Sequence, residues 1–311
     1  MKASQPLDCI VAGEANADLL VGEIRKLEFN KEKLIQDASL VLGGSSSITA
    51  FNLACLGARV GFAGIVGDDI FGRFVEEKLA LAGIDLTHLR KHHKVKSGLT
   101  IWLSNGASRA GVTYPGTIAM LRAGDVPDEY LAHARHLHVG AYFFQTNLQR
   151  GAAGLFQRAH RLGLTTSLDC NYDPLEMWDS GILKVLRHTD VFFPNTVEAL
   201  RIAGVRNLRS AATALAGIAR AVVVKCGADG VLVAANGEIV SYPALKAKVV
   251  DTTGAGDSFN AGFLSQFSQG GSLEASVKAG LAAGARSVSH VGGTGAFEAL
   301  LRRRRAVRTS V

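Results

Sequence analysis

The chain has 311 residues, of which 48% are hydrophobic and 20% are charged. This composition indicates a folded chain rather than a disordered one, with room for one large α/β domain or for a domain and a small appendage. No apolar run reaches the roughly 18 residues of a membrane-spanning helix, and no charged-then-apolar leader opens the sequence, so we expect a cytoplasmic protein without a membrane partner. The four cysteines lie far apart without a C-x-x-C pair, which predicts reduced thiols in the core.

The formal net charge is +7, and much of it comes from arginines at the C-terminal end: Arg302, Arg303, Arg304, Arg305 and Arg308. Without these five arginines the charges are close to balanced. We therefore interpret this end as a solvated basic tail and expect no nucleic-acid partner. The alternative for such a cluster is contact with a polyanion.

Polar side chains follow the first predicted strand. The apolar run 9–12 predicts that strand, and the sequence G-E-A-N-A-D comes directly after it. Asn16 and Asp18 occupy alternate positions of the next short strand, so they face the same side. Carboxylate and amide groups suit sugar hydroxyls, because they accept and donate hydrogen bonds. The pair therefore faces either solvent or a polyol in a pocket.

Strand and helix patterns follow as far as residue 81. The predicted elements are a strand at 40–44, a helix that begins in the serines 45–47, a strand at 60–66 and a helix at 71–81. Ser45, Ser46 and Ser47 are candidate caps of the first helix, because serine side chains accept hydrogen bonds from free N–H groups there. The basic segment 90–96 is interpreted as a solvated connection.

A small antiparallel sheet is expected beside the main fold. Residues 97–115 contain two strand-like runs around an Asn105-Gly106 turn, which predicts a hairpin. With segments at about 14–22 and 38–43, this hairpin would form the small sheet. A sheet of so few strands is marginal alone, which favours burial of one face against a partner.

After residue 124 the sequence alternates between strand and helix patterns, which predicts a parallel sheet between helix layers. Strands are expected at 136–140, 165–169, 190–193 and 221–224, and helices at 148–162, 175–186, 197–203 and 273–290. Ligands of such sheets bind at the carboxyl ends of the strands. Gln145, Asp169 and Asn171 lie just past strand ends and are therefore candidate substrate contacts.

Two further motifs follow strands in this region. In F-P-N-T-V-E, Asn195 and Glu198 lie three positions apart, and the common interpretation of that spacing is a capping box at a helix start. The sequence V-V-V-K-C-G-A-D-G ends a buried strand at Lys225 and continues through Gly227 and Gly230. Taken alone, this second motif is a strand followed by a glycine turn.

The most informative stretch is D-T-T-G-A-G-D-S-F-N-A-G-F at 251–263. Val249 and Val250 predict a strand before it, Gly254 and Gly256 a tight turn, and the apolar periodicity from Phe259 a helix. The free N–H groups of such a helix start attract anions, so a phosphate fits there. Asp257 is either a plain N-terminal acid of this helix or a base beside the phosphate.

This stretch closely resembles the C-terminal signature of the ribokinase (PfkB) family of carbohydrate kinases. The resemblance implies an α/β, ribokinase-like fold, a mostly parallel sheet between helix layers with a small antiparallel β lid, in a single kinase domain over 1–311. It implies ATP-dependent phosphorylation of a primary hydroxyl of a small sugar or sugar derivative. Asp257 would be the catalytic base, and the amides of Gly254, Ala255 and Gly256 the anion hole.

Other motifs extend the resemblance over most of the chain. The resemblance implies that Asn16 and Asp18 hold sugar hydroxyls and that the di-glycine Gly43-Gly44 approaches the sugar. It also implies that the N-x-x-E motif positions Mg²⁺ through water at Glu198. The K-x-G-x-x-G segment binds the nucleotide through residues that include Lys225, Gly227 and Gly230, with Asn195 beside the phosphates. Asp251 and Thr253 would help to hold K⁺, and the lid would cover the sugar and form a homodimer contact.

Two positions depart from the family pattern and leave the sugar open. Ile48 stands where many members have asparagine, and Asp173 stands where many have arginine. A nucleoside kinase of the same family, which uses the same catalytic parts on a sugar that bears a base, is the alternative enzyme. A sugar- or nucleotide-binding regulator without turnover is the alternative outside catalysis.

Overall fold

The strands of the chain form two sheets in the computed structural model, which describes residues 6–24, 26–105 and 109–309. Their bounds are β1 Cys9–Ala12, β2 Asn16–Glu23, β3 Ala38–Gly43, β4 Val60–Gly67, β5 Asp85–His92, β6 Gly98–Ser104, β7 Arg109–Tyr114, β8 His136–Val139, β9 Thr165–Leu168, β10 Val191–Phe192, β11 Ala221–Lys225, β12 Val231–Ala235 and β13 Glu238–Tyr242. The helices lie on both faces of the larger sheet. They are α1 Ser45–Cys55, α2 Ile70–Leu81, α3 Asp128–Leu131, α4 Thr146–Gln149, α5 Ala152–Arg161, α6 Ile182–Leu186, α7 Thr196–Ala203, α8 Leu208–Ala216, α9 Ala255–Phe267, α10 Leu273–Ser287 and α11 Gly295–Thr309.

The larger sheet has nine strands in the order β13-β12-β11-β10-β9-β8-β1-β4-β5. Its pairings from β11 to β5 are parallel, and β12 and β13 add to one edge as antiparallel strands. The strands β1 and β4 are apolar and buried along their whole length, because helices cover both faces of a parallel sheet. Ile10 and Val11 of β1, for example, are fully buried in opposite core layers.

The small sheet, β3-β2-β6-β7, stands beside the larger one. Its two outer pairings are antiparallel, as predicted, but the central pairing of β2 with β6 is parallel. The parallel pairing arises because β2 and β6 belong to separate chain segments rather than to one hairpin. Gly106 of the expected turn lies outside the described residues.

Two predictions near sheet edges are wrong. The basic segment 90–96 is only partly a connection: residues 90–92 belong to β5, the edge strand paired with β4. Charged residues suit an edge strand, because they discourage pairing with other chains. Val249 and Val250 are not in a strand, since the last strand before α9, β13, ends at Tyr242.

Two predicted helices are shorter than expected. The helix at 148–162 is divided into α4 and α5 by Gly151. The helix at 175–186 begins only at Ile182. There the side chain of Asp173 accepts hydrogen bonds from the N–H groups of Leu175 and Trp178, which stabilises a turn instead of a helix.

Other predictions concern the thiols, the tail and the membrane. The four cysteines are free and three of them are buried, as expected. The tail arginines fall on α11, and Arg302 is exposed, whereas the side chains of the arginines after it lie outside the described residues. Within the described ranges, no helix combines the length and the apolar character needed to cross a membrane.

Candidate active site

Two cavities open side by side at the carboxyl ends of the parallel strands, where this fold class places ligands. The first, of about 550 Å³, is lined by polar groups from β2, the small sheet and the start of α9. The second, of about 490 Å³, is lined mainly by apolar residues between β12 and α10. Lys225, Gly227 and Gly256 line both, so the cavities form one continuous groove.

Asp257 lies in the first turn of α9, at the junction of the two cavities. Ser45 Oγ donates a hydrogen bond to Asp257 Oδ1 over 2.5 Å. Burial, with the nearby carboxylates of Asp169 and Asp18, raises the pKa of Asp257 to about 7. A carboxyl group with such a pKa can accept a proton near neutral pH, which is the property of a general base.

The predicted anion site is the N-terminus of α9, a helix of 13 residues. Its cap, Gly254, has φ 67°, a left-handed conformation that favours glycine. Gly254, Ala255 and Gly256 all line the polar cavity. The Ala255 N–H donates to the Thr252 carbonyl at 3.2 Å, so that amide already has a partner within the turn.

Asn16 and Asp18 lie together on β2, as the alternation predicted. Asn16 Nδ2 donates to Asp18 Oδ1 over 2.9 Å, and Trp102 Nε1 of β6 donates to Asp18 Oδ2 over 3.1 Å. The adjacent di-glycine leaves room for this pair. A side chain at Gly43 would overlap the Asp18 carboxylate, and one at Gly44 would overlap Asn16 Oδ1.

The floor of the polar cavity carries an ion pair. Lys225 Nζ lies 2.5 Å from Asp169 Oδ2, and Asn260 Nδ2 donates to the same oxygen. Burial acts to raise the pKa of Asp169, but the Lys225 ammonium and the Asn260 amide outweigh it and hold that pKa below its ordinary value. Asn171, two residues further on, lines the cavity as predicted for a substrate contact.

Asn195 and Glu198 form the capping box that their spacing predicts. Asn195 Oδ1 accepts from the Glu198 N–H, and Glu198 Oε2 accepts from the Asn195 N–H. Glu198 also lines the polar cavity, where burial and the Asp169 carboxylate raise its pKa to about 6. One oxygen of Glu198, one oxygen of Asp169 and Cys170 Sγ lie within 4.8 Å of one another, and the two carboxylate oxygens suit Mg²⁺.

The family described as pfkB family carbohydrate kinase matches residues 7–300. The chain belongs to this family. It is similar to a fructokinase from Escherichia coli, with 30% identity over 74% of this chain and 78% of the relative. It is also similar to a cytidine kinase from Thermococcus kodakarensis, with 28% identity over 88% of this chain and 94% of the relative.

A solved structure shares the fold. Ribokinase of Arabidopsis thaliana, complexed with ribose and ATP, superposes with a TM-score of 0.79 and 22% identity over 96% of this chain and 98% of that one. These findings confirm the ribokinase-like fold and an ATP-dependent carbohydrate kinase. Mg²⁺ accompanies ATP in kinases of this kind, and the oxygen donors above fit it.

The residues expected to hold potassium, Asp251 and Thr253, form hydrogen bonds within the protein. The N–H and Oγ1 of Thr253 donate to Asp251 Oδ1, and the Gly292 N–H donates to Asp251 Oδ2. These contacts form an Asx turn that ties the signature to the segment before α11. Asp251 and Thr253 therefore have a structural role, whether or not a cation binds.

Two predictions of side-chain position are wrong. Gln145 does not line the cavity: it is fully buried, and its Nε2 donates to the Gly140 carbonyl. Asp173, which departs from the family pattern, lies outside the cavity and holds the turn described above; no position was predicted for its side chain. The helix α1 has no side-chain cap, because Ser45 and Ser46 bond carboxyl groups across the groove and Ser47 bonds the Gly43 carbonyl.

The sequence did not predict a role in the site for five residues: Glu14, Ser45, Ser46, Trp102 and Asn260. They come from segments far apart in the chain, and they meet only after folding. The signal for Glu14 was present, since it stands in the same G-E-A-N-A-D segment as Asn16 and Asp18. A serine run before an apolar helix gives no comparable signal, because capping is its ordinary use.

Proposed function

We propose that this kinase transfers the γ-phosphoryl group of ATP to a primary hydroxyl of a small sugar or sugar derivative. The proposal is supported mainly by the position of Asp257, which lines the polar cavity at a helix N-terminus whose residues Ala255 and Gly256 line both cavities. The hydroxyl oxygen attacks the γ-phosphorus, the bond to the bridging oxygen breaks, and ADP leaves. Asp257 accepts the hydroxyl proton.

The other residues bind and orient the two substrates. In the polar cavity the sugar contacts Asn16, Asp18 and Asn171, beside the di-glycine Gly43-Gly44 and above Asp169. The nucleotide occupies the apolar cavity, with its phosphates near Asn195, Lys225, Gly227, Gly230 and the turn Gly254 to Gly256. The N-terminus of α9 stabilises the charge that develops on the transferred group.

Glu198, with Asn195, is the group that would hold Mg²⁺ through water. When bound, the ion neutralises charge on the phosphate oxygens. For K⁺, Asp251 and Thr253 with the carbonyls of 290–293 form the proposed site. We expect faster turnover in K⁺ than in a bulky organic cation, and equal rates in the two would remove this part of the proposal.

The small sheet is proposed as the lid and as a homodimer contact. On its inner face Asp18, Thr100 and Thr113 line the cavity. On its outer face Leu40, Leu19, Ile101 and Val112 pair across the strands in one apolar row, and Val112 is 61% exposed. Such a row favours burial against a second copy. Sedimentation equilibrium should find a dimer that Val112→Lys weakens.

A nucleoside kinase is the second candidate function. Trp102, Phe144 and Tyr172 line the polar cavity, and aromatic rings of this kind stack on nucleobases. A relative of similar length is named cytidine kinase. A regulator without turnover is disfavoured, because Asp257 and the helix N-terminus form a complete arrangement for phosphoryl transfer.

The test is the release of ADP from ATP and Mg²⁺ on mixing with a panel of pentoses, hexoses, keto-sugar acids and nucleosides. A phosphorylated sugar, identified by mass, supports the proposal. Turnover of nucleosides alone supports the second candidate. No phosphorylated product with any member, while ATP still binds, would favour the regulator.

A further inference from the structure

Glu14 lies in the polar cavity, and none of the roles above uses it. It follows β1 directly, is only 4% exposed, and lines the cavity together with Asn16, Asp18 and Asp257. A side chain added at Gly44 would stand 3.2 Å from Glu14 Cγ, so Glu14 lies beside the di-glycine. A carboxyl group in this position can reach a substrate that occupies the cavity.

The first turn of α1 holds two carboxyl groups side by side. Ser46 Oγ donates to Glu14 Oε2 over 2.7 Å, and Ser45 Oγ donates to Asp257 Oδ1 over 2.5 Å. The Ser46 N–H also donates a longer hydrogen bond, of 3.4 Å from N to O, to Glu14 Oε1. Glu14 Oε2 is therefore occupied by a good hydrogen bond, whereas Oε1 has capacity for another.

The charges around Glu14 favour its neutral form. Burial raises the pKa of Glu14 to about 8, and the Asp257 carboxylate adds to this effect against the Ser46 hydrogen bond. Two nearby carboxyl groups do not readily ionise together. The titratable groups that face the same cavity are Asp18 on β2, Asp169 and Tyr172 after β9, Glu198 on α7, Lys225 on β11 and Asp257 on α9.

We propose that Glu14 is a further specificity-determining residue, whose protonated carboxyl group donates a hydrogen bond from Oε1 to an oxygen of the bound substrate. This inference rests on the proposed function. Asp18 accepts hydrogen bonds from hydroxyl groups of the sugar, whereas Glu14 supplies a hydrogen-bond donor on the side of the cavity where Asp257 lies. Loss of the Glu14 proton removes that donor and places a negative charge beside Asp257, so substrate binding weakens in alkali.

Three variants separate this role from a structural one. Glu14→Gln keeps a donor but does not titrate, and Glu14→Ala removes the donor. Asp173→Asn is the matched control, because Asp173 is an equally buried acid outside the cavity. The Michaelis constants for the sugar and for ATP would be measured for each from about pH 6 to about pH 10, which spans both carboxyl groups.

The wild-type Michaelis constant for the sugar should rise above about pH 8, and that of Glu14→Gln should stay flat. Glu14→Ala should raise it by roughly 5- to 50-fold at neutral pH, with the constant for ATP unchanged. Asp173→Asn should follow the wild-type profile. A parallel rise in wild type and Glu14→Gln, or an unchanged sugar constant in Glu14→Ala, would overturn the inference.

A second readout needs no turnover. Carbon-13 NMR of labelled glutamate side chains should find a carboxyl group that titrates near pH 8 in the wild type and is missing from Glu14→Gln. Absence of that signal overturns the inference even when no sugar of the panel is phosphorylated. An active kinase with unaffected Glu14 variants contradicts this inference alone, whereas failure of the proposed function appears in the substrate panel.

Discussion

The two cavities of this kinase have opposite chemistry. The polar cavity carries Glu14, Asn16, Asp18 and Asp257, whereas Val231, Leu245, Phe259, Leu281 and Val288 line the apolar one. Lys225 and Lys246 are the charged side chains of the apolar cavity among the described residues. A ligand of the polar cavity is recognised by hydrogen bonds, and a missing hydroxyl therefore costs much. A ligand of the apolar cavity is recognised mainly by shape.

The cavities also differ in how the chain assembles them. The apolar one comes from residues 225–288, a nearly continuous stretch. The polar one joins residues as distant as Ser45 and Asp257, 212 positions apart. The polar cavity therefore forms only when distant parts of the chain have folded together. Substitutions of its sugar-binding residues should change the Michaelis constant for the sugar more than that for ATP.

Asp257→Asn should have the largest effect on turnover, because Asp257 acts in the transfer of the phosphoryl group between the two substrates. Asparagine keeps the acceptor for Ser45 but loses proton acceptance, so turnover should fall by a factor on the order of 10² to 10⁴. The Michaelis constants for both substrates should change little. The measurement is steady-state kinetics, with circular dichroism as the control for folding.

The pH profile gives an independent check of the same residue. Asp257 accepts a proton only when ionised, so kcat/KM for the sugar should fall about tenfold per pH unit below about pH 7. It should level off between about pH 7 and about pH 8, above which loss of the Glu14 proton weakens sugar binding. Near-normal turnover of Asp257→Asn, or a flat profile across pH 7, would contradict its role as base.

Asp18→Ala should change the Michaelis constant for the sugar but not that for ATP. It removes a charged acceptor that lies in the polar cavity, so sugar binding should weaken by roughly 1.5–3 kcal/mol, or about 10- to 150-fold in the Michaelis constant. The constant for ATP should stay nearly unchanged. Asp18→Asn, which keeps an acceptor for Trp102, is the matched control and should lose less. A sugar constant within about twofold of wild type, too small for a lost charged hydrogen bond, would place Asp18 outside the site.

Local patterns predicted much of the fold and of this site. The alternation of strands and helices after residue 124 predicted the parallel sheet, and strand alternation placed Asn16 and Asp18 on one face. The spacing of Asn195 and Glu198 predicted their capping box. These predictions succeeded because each depends on contacts between residues close in the sequence.

Predictions that depend on distant partners were less successful. The sequence predicted the serines 45–47 as helix caps, because capping depends only on neighbouring residues. The partners of Ser45 and Ser46 instead come from α9 and from the segment after β1. Gln145 follows a strand end but turns inward to the Gly140 carbonyl. Trp102 belongs to a strand whose parallel partner, β2, no hairpin rule predicts.

Gly284→Leu should affect the other cavity. Gly284 lies on α10 and lines the apolar cavity, so a leucine side chain there would fill space that the nucleotide needs. We expect the Michaelis constant for ATP to rise about tenfold, because overpacking of this kind costs about 1–3 kcal/mol. The constant for the sugar should not change.

Gly284→Ala is the matched control for that variant. An added Cβ would stand 3.6 Å from the Ala255 carbonyl oxygen, an ordinary contact, so alanine fits. It should also raise stability by about 0.5–1 kcal/mol, because alanine is the better helix former. A larger change in the sugar constant than in the ATP constant for Gly284→Leu would show that the two cavities are not independent.

Ile48→Asn should have the smallest kinetic effect of the four. Ile48 lines the polar cavity but is only 3% exposed, and its methyl groups pack where side chains at Gly254 and Gly293 would stand. Asparagine restores the residue common in the family, so the sugar constant should change less than the roughly 5-fold that loss of a neutral hydrogen bond costs. The free energy of unfolding should fall by roughly 1–3 kcal/mol, since a buried apolar contact is replaced by an amide.

Thermal unfolding separates the two effects of that substitution. Ile48→Val keeps the apolar contact and removes one methylene, so it should cost only about 0.5–1.5 kcal/mol and leave the sugar constant unchanged. If Ile48→Asn instead changes the sugar constant by more than about tenfold at unaltered stability, the energy lies in substrate recognition rather than packing. Ile48 would then belong to the hydrogen-bonding side of the polar cavity, because only a direct contact with the sugar separates binding from stability in this way.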